Sequence, residues 1–157
     1  MEFSVPQGGS NICHIDVYPA TPVKGVAQDW RMVNTSLAPE KDVDRLDVQF
    51  ARASTPQQRQ LERMIFVFSI AESVQTDLES WRFFQGGIMY CEGKADYLDD
   101  NSFALSDNGK ALTMSVKCLT DIAESYNFSF MAVQKTNESG ECQIYASSDP
   151  GGDIRRV

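Results

Sequence analysis

Histidine is almost absent from this chain. His14 is the single copy, and the four cysteines, Cys13, Cys91, Cys118 and Cys142, form no CxxC pair. Because zinc sites draw mainly on clustered histidine and cysteine ligands, we expect no metal site. The sequence also has no GxSxG elbow, P-loop or GxGxxG motif, so acyl-transfer and nucleotide-binding functions lose their signatures. We therefore expect no cofactor, and no ligand class is indicated.

Basic residues are scarce. Fourteen Lys and Arg stand against 22 Asp and Glu, giving a net charge of -8. Nucleic acids and anionic membrane surfaces both require a Lys/Arg-rich face, so we expect neither as a partner. The longest apolar island, residues 64–68, is far shorter than a membrane span, and the first residues lack the pattern of a secretory signal. We expect a cytoplasmic protein whose cysteines are reduced.

Apolar residues recur at every second position in several stretches. The clearest are residues 11–17, 44–51, 112–118 and 126–133. A period of two is typical of strands with one buried face, as in an antiparallel sheet. Residues 64–70, rich in Phe, Ile and Val, are expected to form a strand buried more fully.

Turn and helix signals lie between these stretches. Residues 107–109 (Asp-Asn-Gly) and 137–140 predict hairpin turns, the second with Gly140 at positive φ. Thr55 as N-cap and Pro56 at the first helical position predict a short helix over residues 56–63. Two weaker helix predictions fall on residues 74–81 and on a single turn at 121–125.

Seven to nine short strands with one or two short helices indicate an all-β protein. The expected fold is an antiparallel β-sandwich of immunoglobulin-like general shape. A length of 157 residues fits a single domain over residues 1–157, with residues 1–10 expected to be flexible. Aromatic residues are expected to fill the core: Trp30, Phe66, Phe68, Trp81, Phe84, Phe128 and Phe130.

The dipeptide Asp149-Pro150 follows the last alternating segment, residues 142–146. The Asp carboxylate is held next to its own carbonyl carbon, and the proline nitrogen is a good leaving group once it is protonated. This bond is therefore the backbone bond most easily cut from within. The alternative is an ordinary strand-ending turn, since Asp before Pro is also common turn chemistry.

Strand phase suggests a partner for Asp149. If residues 138–140 form the hairpin loop, Asp149 lies opposite Ser129, and even-numbered residues of both strands face the core. Extending the same phase to the preceding strand places Lys117 beside Ser129, about 10 Å from Asp149 at the backbone. Lys135 is a second choice, although it lies near the turn. Asp153 is the acid nearest in sequence that could assist the cut.

The segment from Tyr126 to Pro150 resembles the DP-EP family of small bacterial β-sandwich proteins. The resemblance rests on the aromatic strand of residues 126–130, the hairpin, and residues 145–150; it covers about the last 30 residues, and no Glu-Pro follows Asp149-Pro150. It implies self-cleavage at this bond. It also implies capture of the freed aspartyl carbonyl by a lysine, for which Lys117 is the candidate.

Two functions remain open from the sequence. One is a self-processing protein, a single-turnover endopeptidase acting on Asp149-Pro150, with an Asp–Lys isopeptide bond as a further step. The other is a non-enzymatic β-sandwich that binds an unidentified protein or ligand. A homo-oligomer formed by strand exchange or by cross-linking is compatible with the first function.

Overall fold

The computed structural model describes the backbone of residues 1–92, 98–148 and 150–157, and the side chains of residues 1–84, 103–148 and 150–157. The described residues form twelve strands, more than the seven to nine predicted, and one short α-helix. The strands are β1 (Glu2–Val5), β2 (Ser10–Tyr18), β3 (Arg31–Asn34), β4 (Lys41–Asp42), β5 (Asp47–Phe50), β6 (Arg63–Ile70), β7 (Glu79–Glu92), β8 (Leu98–Leu105), β9 (Ala111–Val116), β10 (Glu124–Thr136), β11 (Cys142–Ala146) and β12 (Gly151–Arg156).

The strands form two sheets that pack face to face, which confirms the predicted all-β sandwich. The first sheet has the order β1-β5-β12-β10-β11, with β7 also paired to β10; the second has the order β4-β3-β2-β6-β9-β8. The sheets are mixed, not wholly antiparallel as predicted. β1 pairs with β5, β5 with β12, and β2 with β6 in parallel. These pairs join segments that are distant in sequence, and local patterns carry no signal for them.

The core between the sheets is mostly aromatic, as the sequence predicted. Trp30 stacks on Phe130, and Phe68 meets Phe130 edge to face. Six of the seven predicted aromatic residues are buried. Phe84 is the exception: it is half-buried, and its neighbour Phe83 takes the core position, because β7 presents the opposite phase to the second sheet.

The predicted turns and the first predicted helix are confirmed. Gly109 joins β8 to β9 and Gly140 joins β10 to β11, each with positive φ. Helix α1 (Pro56–Leu61) has Thr55 as its N-cap, and Gln58 completes a capping box.

The other two helix predictions are wrong. Residues 74–81 contain the end of a 3₁₀ turn (Glu72–Val74) and the start of β7, and residues 121–125 lead into β10 without a helical turn. Pairing of β7 with β10 provides backbone hydrogen bonds that a short isolated helix cannot match.

The N-terminal residues, expected to be flexible, contribute a strand to the first sheet. β1 pairs in parallel with β5, and Phe3 and Val5 are buried in the core. The ring of Phe3 contacts Phe66 of the second sheet edge to face, with centroids 5.0 Å apart. Apolar burial thus fixes a segment whose Gly and Pro content suggested a loose end.

Candidate functional site

The segment containing the Asp-Pro bond joins two strands that follow the same edge of β10. Ala146 of β11 pairs with Met131, and Gly151 of β12 pairs with Asn127. Five steps along this segment therefore match four steps along β10. One extra residue lies between the two strands, which is the arrangement of a β-bulge. Bulges interrupt a ladder and change the direction of the residues around them.

The predicted register is wrong for β11 and applies to β12. The pairing predicted for β11 is wrong by one residue, so Tyr145, and not Ile144, packs against the core. Ile144 is exposed. The predicted pairing does apply to β12, where Tyr126 lies opposite Gly152. A shift of one residue exchanges the two faces of a strand, which explains both outcomes.

Hydrogen bonds fix the residues on both sides of Asp149. Ser147 is buried; its N–H donates to the Phe130 carbonyl, and its hydroxyl accepts the Phe130 N–H at 2.9 Å. The Ser148 N–H donates to the Gln28 carbonyl at 2.9 Å. Beyond the bond, the Pro150 carbonyl accepts the Phe128 N–H at 3.0 Å. Asp149 itself lies outside the described residues.

A charged cleft of about 530 Å³ borders this segment. Ser148, Pro150 and Gly151 form part of its wall. Its lining also includes five charged residues from the start of β3 with the segment before it and from the β4–β5 region: Asp29, Arg31, Asp42, Asp44 and Arg45. No local sequence pattern predicts this contact, because more than one hundred residues separate Asp29 from Ser148.

Asp29 contacts the segment directly. The Ser148 hydroxyl donates a hydrogen bond to Asp29 Oδ1. Asp42 forms an ion pair within the cleft, with Oδ1 2.8 Å from Nε of Arg31. Arg45 extends to Asp153, whose Oδ2 lies 3.1 Å from Arg45 Nη2.

Asp153, the nearest acid in sequence, lies at a different place. Its Oδ1 accepts the Ser125 hydroxyl at 2.6 Å, and its N–H donates to Asp47 at 2.9 Å. It lines a second, smaller cleft with Glu2 and Arg155 rather than the cleft beside Pro150. Asp29 and Asp44 are therefore better placed than Asp153 to assist chemistry at the Asp-Pro bond.

The predicted row of Asp149, Ser129 and Lys117 is wrong. β9 pairs with β6 and β8 in the second sheet, so Lys117 does not lie beside Ser129 of β10. Ser129 is buried and does not face outward. The prediction assumed that strands adjacent in sequence pair with each other, whereas here the chain crosses from one sheet to the other between β9 and β10.

Neither candidate lysine lies near Pro150 along the strands. Residues flanking Lys117 reach the far end of β12, where the Cys118 carbonyl accepts a hydrogen bond from Arg156. Six residues of strand, or about 20 Å, separate Arg156 from Pro150. Lys135 pairs with Cys142 near the hairpin turn, seven positions along β10 from Phe128.

The remaining chemically reactive side chains are buried or scattered. Burial raises the pKa of the Cys13 and Cys118 thiols above their usual value. Cys142 is exposed. Among the described residues, no cluster of His, Cys, Asp and Glu is arranged to hold a metal ion. The acidic stretch at residues 96–101 and Cys91 lie outside the described side chains. No helix in the described part of the chain is long and apolar enough to cross a membrane.

The fold and the site together define a class: an all-β sandwich in which a C-terminal strand follows an anchored Asp-Pro segment. The chain belongs to the DP-EP family, since the model of that family matches residues 2–156. The match extends over nearly the whole chain, well beyond the last 30 residues that carried the resemblance in the sequence. No curated protein matches the chain.

Proposed function

We propose that this protein cleaves its own backbone once, at the Asp149-Pro150 bond. The observation that carries the proposal is the anchoring of Ser147, Ser148 and Pro150, which fixes the chain on both sides of the bond at the edge of a charged cleft. Holding reacting groups in place removes much of the entropic barrier to an intramolecular attack. Membership in the DP-EP family supports cleavage at the same bond.

The proposed reaction needs no external reagent except water. A carboxylate oxygen of Asp149 attacks its own carbonyl carbon, and the C–N bond to Pro150 breaks as the proline nitrogen gains a proton. The product on one side is a cyclic anhydride of Asp149, and on the other a new N-terminal proline. Water then opens the anhydride, which leaves residues 1–149 with a terminal carboxylate and residues 150–157 as a separate peptide.

Asp29 is the proposed positioning residue for this step. Its carboxylate accepts the Ser148 hydroxyl, so it fixes the residue immediately before Asp149. Asp44 lines the same cleft as Pro150, and we assign to it the role of general acid: its carboxylic acid form donates the proton that the proline nitrogen gains as the C–N bond breaks, and water then returns a proton to it.

Formation of an Asp–Lys bond stays a prediction, with Lys117 as its first candidate. Attack of a lysine amine on the anhydride would form an amide and release the side-chain carboxylate. Because the strand order separates Lys117 from Pro150 within one chain, the capture is expected between two copies. Dimers on denaturing gels that disappear in Lys117→Arg would support this step; dimers unchanged by the substitution would exclude Lys117.

Rates of cleavage in single and double variants test the roles of these residues. Asp149→Asn should abolish cleavage, and Asp44→Asn should slow it about 100-fold or more. Asp29→Asn and Ser148→Ala should each slow it about 10-fold or more, and the double variant should be no slower than either, because both remove one hydrogen bond. Asp77→Asn, exposed and not part of the lining of the cleft, is the control. Additive losses would contradict the positioning role of Asp29.

The second candidate function is a binding module that uses the charged cleft without cutting the chain. The cleft offers carboxylates and guanidinium groups to a polar ligand, which favours this alternative over an apolar binding site. A chain that stays intact with Asp149 in place would support the binding module and exclude self-cleavage.

A further inference from the structure

The eight residues after the Asp-Pro bond are fixed inside the first sheet. β12 lies between β5 and β10, pairing in parallel with one and antiparallel with the other. Leu46 N–H donates to the Gly151 carbonyl at 3.0 Å, and Arg52 N–H donates to the Val157 carbonyl at 2.9 Å. Backbone hydrogen bonds therefore hold this segment at both of its ends and along both of its edges.

The end of this segment carries a buried charge. Arg156 Nη2 lies 2.8 Å from Glu62 Oε2, and neither side chain is exposed. Arg156 Nη1 also donates to the Ala51 carbonyl at 2.6 Å, and its guanidinium lies 5.4 Å from the centre of the Phe50 ring. Glu62 is held in turn by the Gly8 N–H at 2.9 Å. An acidic pocket that Glu62 and the Ala51 carbonyl form thus holds the arginine.

The beginning of the segment requires glycine. A Cβ on Gly151 would lie 2.1 Å from Asn127 Oδ1, and one on Gly152 would lie 2.1 Å from the Leu46 carbonyl oxygen. Ile154 is buried, whereas Arg155 is exposed and pairs with Glu2. The space between β5 and β10 therefore selects the residue type at four of the six positions of β12. These are Gly151, Gly152, Ile154 and Arg156.

We propose that the space between β5 and β10 is a peptide-binding site for residues 150–157, and that it keeps this octapeptide bound after the bond to Asp149 is cut. The ligand is an extended peptide with a free N-terminal proline that completes the sheet by strand addition. The source of the cut rests on the proposed function; the binding site does not, because its contacts lie wholly beyond Asp149. Cleavage would then leave a nicked protein with its fold and its new proline amine in place.

Native and denaturing mass spectrometry of the cleaved full chain test this proposal. A second sample makes the cut independently: an Asp149→Asn chain with the recognition sequence of a site-specific endopeptidase inserted after Ser148. After desalting, native spectra should show the C-terminal peptide bound, which is residues 150–157 after self-cleavage and a longer peptide that begins before residue 150 after the endopeptidase cut. Denaturing spectra should show two pieces in both samples. Release of the peptide on desalting, from folded or unfolded protein, would overturn the proposal. Lack of cleavage in the unmodified chain would count against the proposed function alone.

Competition with synthetic peptides tests the specificity of the site. Nicked protein is incubated with a fluorescent peptide of residues 150–157, and unlabelled peptides compete for it. The peptide with Arg156→Ala should compete at least 100-fold more weakly, because it leaves Glu62 buried and unpaired. The peptide with Arg155→Ala should compete within about threefold, since exposed ion pairs contribute little. Equal competition by the two peptides would contradict the arginine pocket.

Discussion

At the scale of single residues, the ionisation of the buried Glu62 carboxyl is coupled to the stability of the fold. Burial raises the pKa of its carboxyl, but the Gly8 N–H, the Ser54 hydroxyl and the Arg156 guanidinium outweigh burial, and the pKa is lowered. A carboxyl with a lowered pKa in the folded state stabilises the protein above its unfolded pKa of about 4.3. This stabilisation is lost as the pH falls through the lower folded value.

Glu62→Gln should therefore destabilise the protein in a manner that depends on pH. At pH 7 we expect a loss of about 3–5 kcal/mol in the free energy of unfolding, because Arg156 remains buried without its counter-ion. As the pH falls below the unfolded pKa of about 4.3, the difference between variant and parent should shrink, and it should be smallest below the lowered folded pKa, where the folded parent also protonates Glu62. Urea denaturation at a series of pH values measures both. Glu141→Gln, at an exposed site, is the control, and an equal loss at every pH would contradict the assignment.

The residues of the candidate site differ in how far the sequence reveals them. Asp149 and Pro150 are visible as a dipeptide whose chemistry is local. Asp29 carries no such signal, because its contact with Ser148 forms only when distant segments meet. Residue chemistry is thus readable from sequence, whereas the groups that surround a reacting bond depend on topology.

At the scale of elements, alternation and turn residues predict strands and hairpins well. The strands β2, β5, β6, β9 and β10 and both glycine turns follow from local patterns. The β11 register fails by one residue, because the hairpin loop contains residues 137–140 and not 138–140, and the bulge before β12 then restores the predicted pairing. The predicted pairing of β9 with β10 fails for a different reason: β9 pairs with β6 instead, and that pairing depends on packing between segments distant in sequence.

The close approach of β12 to β5 gives a prediction for Gly152. Gly152→Ala should destabilise the protein by more than about 3 kcal/mol, because the added Cβ would meet the Leu46 carbonyl and push two paired strands apart. Gly25→Ala is a useful comparison, because its Cβ meets nothing within 4 Å and only its positive φ is strained. We expect about 1 kcal/mol there. Urea denaturation of both variants measures the difference, and equal losses would contradict the close packing of β12.

At the scale of the whole molecule, the core between the sheets should protect two thiols together. Cys13 of β2 and Cys118, two residues after the end of β9, lie in this core, whereas Cys142 is exposed on β11. Burial raises the pKa of both core thiols, which lowers their reactivity further. Among these three cysteines, maleimide labelling followed by peptide mapping should modify Cys142 first. Cys13 and Cys118 should react only as fast as the protein unfolds, and rapid labelling of either in the native protein would contradict the packing described.

The two-sheet architecture also places the parts of the proposed reaction. The Asp-Pro segment lies at the edge of the cleft, while β12 is held between β5 and β10. If residues 150–157 stay bound as proposed, a cut at this bond leaves β12 in its sheet. We therefore expect the fold to tolerate a broken backbone at this point better than a break inside β12.

Intact mass spectrometry under denaturing conditions tests most directly whether the chain cuts its own Asp149-Pro150 bond. Purified protein is measured when fresh and after incubation at neutral and mildly acidic pH, beside the Asp149→Asn variant. We expect the parent to convert into a piece of residues 1–149 and a peptide of residues 150–157, while the variant keeps its full mass. A parent chain that keeps its full mass for days would contradict the claim, and so would equal cleavage in both proteins.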